Sequence, residues 1–145
     1  MSHSYRPPPI ETATDPIHST ADLRERWRAL MGPLGFGHRV LWVGFVGPNR
    51  RMIKAISRVP LPTAANADLA DEVAAGCRDV LADFPAGTTV AYLLTRPGVG
   101  PVSRLDRQWA QLLESAARRH GVGIQPIFRA HDESVDLLEQ VPVGR

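Results

Sequence analysis

Along the chain, apolar side chains recur in two rhythms, one of helices and one of strands. Leu23, Trp27, Leu30, Met31 and Leu34 fall three and four residues apart, which places them on one face of an amphipathic helix. Ser19 or Thr20 can cap that helix, Asp22 suits its positive end, and Gly35 and Gly37 stop it. The run VLWVGFV from Val40 to Val46 is almost continuously apolar and predicts a buried strand. Gly47-Pro48-Asn49 supplies turn chemistry. Residues 52–59 (MIKAISRV) then alternate apolar and polar, as the second strand of a hairpin would. Pro60 and Pro62 close it, because proline has no N–H for the ladder.

A second helix is predicted over residues 67–84, with Leu69, Val73, Cys77, Val80, Leu81 and Phe84 on its apolar side. Residues 88–94 (TTVAYLL) predict a central strand, and the following Arg96-Pro97-Gly98-Val99-Gly100-Pro101 fits neither helix nor sheet. Ser103 opens a third helix with the stripe Leu105, Trp109, Leu112, Leu113 and Ala116. Arg118, Arg119 and His120 place cations at its negative end before Gly121. Residues 123–128 (GIQPIF) predict a last strand, at a sheet edge because of Pro126, and residues 135–140 a short helical turn. The element order is α-β-β-α-β-α-β. It implies an α/β fold with a mixed sheet: a flexible arm over residues 1–18, one domain over 19–140 and a tail over 141–145.

Composition narrows the function classes. The chain has 145 residues and a formal charge of +2, too slight an excess to identify a polyanion partner without clustering. Lys54 is the only lysine, and the arginine bias fits a GC-rich coding sequence. No apolar run reaches the ~20 residues a bilayer span needs, and the start MSHSYRPPPIETATDP lacks the apolar stretch of a signal peptide. The single cysteine, Cys77, excludes an internal disulfide and suits a reducing compartment, so a cytoplasmic location is expected. Its place on an apolar face makes it a packing residue rather than a nucleophile.

The third strand and the loop after it carry a resemblance. Val90-Ala91-Tyr92-Leu93-Leu94-Thr95-Arg96-Pro97-Gly98, then Gly100-Pro101, then Ser103-Arg104-Leu105-Asp106, resembles the signature of JAB/MPN-type proteins, the RadC-like bacterial branch included. There a strand ends in His-x-His-Pro, a Gly/Pro loop follows, and Ser-x-x-Asp opens a helix. The hairpin VLWVGFVGPNRRMI is similar to that family's first two strands, and the likeness spans roughly residues 38–138. It implies a three-layer arrangement of the cytidine-deaminase/JAB type. In active members two histidines and the aspartate hold zinc, and a glutamate near the first strand moves the proton of zinc-bound water. Here the histidine positions fall on Leu94 and Arg96, or in a second register on Leu93 and Thr95, and the glutamate position falls near Arg39 or His38. Asp106 alone remains as a remnant metal-ligand candidate, and Ser103-x-x-Asp106 equally reads as a capping box. The resemblance therefore implies a pseudoenzyme without zinc or other cofactor, and inactive members of the family commonly act as scaffolds.

Other chemistry is thin. His3, His18, His38, His120 and His131 form no metal-binding spacing, and neither Gly35/Gly37 nor Gly98/Gly100 continues into a phosphate-binding fingerprint. His131-Asp132-Glu133 reads as a solvated loop. The remaining candidate is an anion or ligand site made by Arg96, Gly98, Gly100, Ser103, Arg104 and Arg107, where guanidinium groups and a helix N-terminus converge. Arg50, Arg51 and Lys54 add charge at the hairpin. The leading expectation is a non-catalytic interaction or regulatory module with a protein partner, a homodimer included. A small-anion or nucleotide-binding protein is the alternative, nucleic-acid binding a weaker one, and no membrane is expected.

Overall fold

Each helix begins where a polar side chain supplies the missing hydrogen-bond partner of its first turn. In the computed structural model, which describes residues 6–32, 34, 36–132 and 134–138, Ser19 accepts from the Asp22 N–H at 3.0 Å and starts α1 (Thr20–Met31). Asp22 returns the bond to the His18 N–H at 2.9 Å. Asn66 accepts from the Leu69 N–H at 3.0 Å and starts α2 (Ala67–Leu81). Ser103 and Asp106 form a full capping box at the head of α3 (Arg104–Arg119). Such caps contribute about 1 kcal/mol each. α1 ends at Gly32 (φ 63°), three residues before the predicted stop. Gly35 lies outside the described residues. α3 ends at His120 and the left-handed Gly121 (φ 69°), a backbone conformation that suits glycine.

The fold is mixed α/β. The strands are β1 (Val40–Val46), β2 (Ser57–Pro60), β3 (Thr89–Thr95), β4 (Phe128–Ala130) and β5 (Val135–Leu137). They lie in the order β2-β1-β3-β4-β5, with β3 and β4 parallel and the other neighbours antiparallel. Alternation of side chains across the sheet divides the core in two. Leu41, Val43, Phe45, Val90, Tyr92 and Leu94 meet α2 and α3 on one face, through Cys77, Trp109 and Leu113. Val46, Ala91, Leu93, Phe128 and Ala130 meet Leu23 and Trp27 of α1 on the other. Each large side chain removed from water in this way contributes roughly 1.5–3 kcal/mol.

Four expectations are corrected. The second hairpin strand does not run over residues 52–59. Met52 makes a single bridge to Val46 and pairing resumes only at Ser57↔Val43, so the return strand has more residues than β1 between those points and bulges out. The last predicted strand is displaced from 123–128 to β4 and is interior. Ile124 bridges Val90 while Phe128 pairs with Leu93, and Pro126 sits in the extra residue between them, so it interrupts a ladder instead of marking an edge. Residues 135–137 form β5 and no helical turn, because Val135, Asp136 and Leu137 complete the open side of β4. Gln140 lies outside the described residues.

Residues 6–18, expected as an arm, pack on the protein: Ala13 and Ile17 are buried, and the Ile17 N–H donates to Arg50 O at 2.7 Å. Arg26 and Arg51 reach back to the carbonyls of Thr12 and Thr14 in the 3₁₀ turn at Ile10–Thr14. Residues 1–5 lie outside the described residues. Among the described residues no helix is long and apolar enough to cross a membrane.

Candidate functional site

β1 begins and β3 ends at the same margin of the sheet, where Val40 pairs with Thr95. Thr95 is buried, donates to Val40 O at 3.1 Å and accepts from the Trp42 indole at 3.1 Å. Immediately beyond it the Arg96 N–H donates to Ala130 O at 3.1 Å. The chain then turns through Gly98 (φ 87°) and Gly100 (φ 122°), conformations that a β-carbon would strain, before entering α3.

This loop is pinned at every turn. Asp132 accepts from the Gly98 N–H at 2.8 Å and its own N–H returns to Gly98 O at 2.8 Å. The other carboxylate oxygen of Asp132 accepts from the Phe36 N–H at 3.2 Å, which ties in the segment before β1. Arg129 donates to Gly100 O at 2.9 Å, and Arg96 to Pro101 O at 2.9 Å.

Asp106 lies under the loop with only 2 % of its surface exposed. Its Oδ2 accepts from the Ser103 N–H at 2.9 Å and from Arg96 Nε at 3.2 Å, and stands 3.9 Å from Arg129 Nη1. Its Oδ1 faces Arg39 Nη1 at 3.8 Å. Arg129, also 2 % exposed, donates to Asp136 Oδ2 at 2.7 Å, and Ser134 Oγ donates to the same oxygen at 2.6 Å. Among the described residues the buried Arg129 Nε has no hydrogen-bond partner. The result is a network of three guanidinium groups and two carboxylates, buried at Asp106 and Arg129 and open to solvent at Arg39 and Asp136. In a low-dielectric setting such pairs hold only because each charge faces an opposite one.

The predicted site residues divide. Arg96 and Ser103 come together on Asp106 as its partners, while Gly98 and Gly100 are held by Asp132 and Arg129. Arg96 spends its donors on Asp106 and Pro101 and keeps 12 % of its side chain exposed. Arg104 and Arg107 lie outside this group on the exposed first turn of α3, where Arg107 reaches Val102 O at 3.4 Å and Arg104 borders a groove with Leu105, Gln108 and Thr63. Leu94 is buried in the α2/α3 core. His131 is buried rather than solvated, and Glu133 lies outside the described residues. Among the described residues no three histidine, cysteine, aspartate or glutamate side chains come together as a metal set.

Sequence reasoning passed over Arg129 and Asp136 and placed Asp132 in a solvated loop, whereas its carboxylate fastens Gly98 and Phe36. A signal existed: Arg129 is a lone cation between Phe128 and Ala130 in an apolar strand, and a buried cation demands a nearby carboxylate.

A cavity of about 410 Å³ lies at the opposite margin of the sheet, beside Ser19, Thr20, Val46, Arg50 and Gln125. Between β3 and α2, Cys77 Sγ stands 3.8 Å from Tyr92 Oη. Burial pushes the Cys77 thiol up, and burial again, reinforced by Cys77, pushes the Tyr92 phenol up. Both stay protonated at neutral pH, which argues against a nucleophilic role for Cys77. Against known proteins, no family pattern, no curated sequence and no solved structure matches the chain.

Proposed function

We propose that this protein is a non-catalytic interaction or regulatory module on a JAB/RadC-like scaffold. The observation that carries the reading is the convergence of Arg39, Arg96 and Asp106. Those are the positions the resemblance assigns to the acid/base glutamate, one histidine and the metal-binding aspartate. Where an active member would gather ligands around a cation, this chain gathers guanidinium groups around a carboxylate. The exchange inverts the local charge, since an arginine repels a metal ion and satisfies Asp106 itself. A site filled by its own side chains has nothing left to activate water, which leaves recognition of a partner as the work of the scaffold.

Elemental analysis of the full chain purified with zinc present tests this reading. The expected content is far below one zinc per chain, and capture of the tagged chain from its own cells is expected to retain a protein partner at fixed stoichiometry. One zinc per chain, lost in Asp106→Asn, would overturn it.

The excess guanidinium group favours a second reading, a small-anion site. Arg39 is the loosest of the three arginines, with 28 % of its side chain exposed and its ion pair to Asp106 at 3.8 Å, so it replaces Arg96 as the residue that would meet the ligand. Inorganic phosphate and nucleoside phosphates should then raise Tm in a manner removed by Arg39→Ala. Absence of any anion-dependent shift rules this second reading out.

A further inference from the structure

Between Glu25 and Asp68 the sequence contains no carboxylate, yet it carries Arg39, Arg50, Arg51, Lys54 and Arg58 along β1, the hairpin and β2. Two of these cations are spent internally: Arg39 on Asp106 and Arg51 on Thr14 O. Lys54 and Arg58 are exposed, and they flank the end of the sheet that β2 forms.

The geometry of β2 sets what can pair there. The Leu61 N–H donates to Arg39 O at 3.1 Å, and the register aligns Val59 with Leu41 and Ser57 with Val43. Residues 57, 59 and 61 therefore bond inward to β1, and the N–H and C=O of Arg58 face outward from a strand that has no second neighbour among the described residues. The two faces of this edge differ sharply. On the α1 face, Arg58 lies over Trp42 with its guanidinium carbon 5.6 Å from the ring centroid, and Ile56 and Lys54 extend the same side. On the α2 face, an apolar cleft of about 240 Å³ opens between the strand and the helix, lined by Val43, Phe45, Val59, Val73, Cys77 and Val80. Val80 is 41 % exposed at its mouth, and Glu72 borders the same cleft.

We propose that the β2 edge docks an extended segment of a partner protein whose side chains alternate apolar and acidic. A strand added to this edge points successive side chains to opposite faces. Its apolar residues enter the cleft between β2 and α2, and its acidic residues meet Arg58, with Lys54 beyond. Charge excludes a second copy of this chain. Two-fold pairing of β2 with itself would bring Arg58 against Arg58 on one face and Glu72 toward Glu72 on the other, and like charges across strands are unfavourable. Nucleic acid fits poorly, because the cleft is lined mainly by apolar side chains with no arginine or lysine among them, and Glu72 stands at its border. Pro60 lacks an N–H, so the added strand has few backbone bonds and binding is expected to be weak and reversible.

The docking site rests on the interaction-module reading, and its test fails separately from it. A short fluorescent peptide alternating valine and aspartate is titrated into the full chain, beside a valine–lysine peptide, a peptide with its valines and aspartates in separate blocks, and a single-stranded oligonucleotide. The valine–aspartate peptide is expected to bind in the micromolar range and to outbind the other three probes. Arg58→Glu should weaken it by roughly tenfold and turn the preference toward the lysine peptide. A β-carbon at Gly76 meets nothing within 4 Å, so Gly76→Leu is expected to fold, to extend toward the cleft and to weaken both the wild-type and the charge-swapped preference. The proposal is overturned by absence of saturable binding, by equal binding of the block peptide, or by affinities unchanged in both variants. It is equally overturned by a dimer that Arg58→Glu dissolves, or by oligonucleotide binding that Arg58→Glu abolishes. Stoichiometric zinc, by contrast, overturns the module reading itself.

Discussion

The two margins of β1 treat arginine in opposite ways. At the Asp106 end, Arg39, Arg96 and Arg129 turn inward, and the loop over residues 96–103 is fastened by the side chains beneath it. At the β2 edge, Arg58 lies exposed over Trp42, beside a cleft that no side chain of the described residues fills. Charge at the first place holds the structure together, because each buried guanidinium or carboxylate would be costly without its partner. At the second place charge costs little and stabilises little, and it remains free to select what approaches. Burial, rather than residue type, separates an arginine that builds the fold from one that can recognise a partner.

The sharpest way to break this contrast is Asp106→Ala. It strands Arg96 and Arg129 without their shared carboxylate, and a loss of about 3–5 kcal/mol is expected in urea unfolding. A loss under about 1 kcal/mol, the level of exposed ion pairs, would mean the network is no more than surface charge. Ser103→Ala tests the same end more gently. It removes the acceptor for the Asp106 N–H while leaving the charges in place, so about 1 kcal/mol should be lost.

At the other margin the expected sign reverses. Gly76→Ala places a methyl group in open space on a helix and should raise stability by about 0.5–1 kcal/mol. A destabilised protein would show that the cleft wall is already closely packed. Cys77 gives a kinetic reading of the same region. With its thiol pushed up by burial, alkylation of the native chain at pH 8 should be much slower than alkylation in urea, and equal rates would mean that the cleft opens freely.

The smallest effect is expected at Asp71, a half-exposed residue of α2 that faces Arg119 and His120 at the end of α3. A hydrogen bond from Arg119, together with the charges of Arg119 and His120, holds its carboxyl below the usual range. A depressed acid contributes stability above its unfolded pKa, near 4, and that contribution disappears as pH falls through the lower folded value. Asp71→Asn should therefore leave the slope of stability against pH unchanged above about pH 5 and flatten it slightly below. A change confined to neutral pH would contradict the assignment.

Much of this architecture was legible because it depends on local periodicity. The stripes of α1, α2 and α3 buried Leu23 and Trp27, Cys77, and Trp109 and Leu113 as their spacing required. Ser103 and Asp106 formed the capping box their separation suggested. The errors arose where one residue more or less decided the pairing. Pro126 read as an edge signal because proline cannot donate, yet a one-residue excess accommodates it inside the sheet. Residues 135–137 read as a turn because a strand so short carries no pattern of its own, and only the open side of β4 recruits it.

Sequence by itself determined where the helices begin, which faces they bury, and that the loop after β3 carries no zinc-binding histidine. Tertiary structure decided what that loop became. Arg39 precedes β1, Arg96 follows β3 and Arg129 lies within β4, and no spacing along the chain predicts that all three close on Asp106. The reason is that a cap or an amphipathic stripe is set by neighbours a few residues apart. A buried charge instead takes whichever partner the folded sheet brings within reach, however distant in sequence.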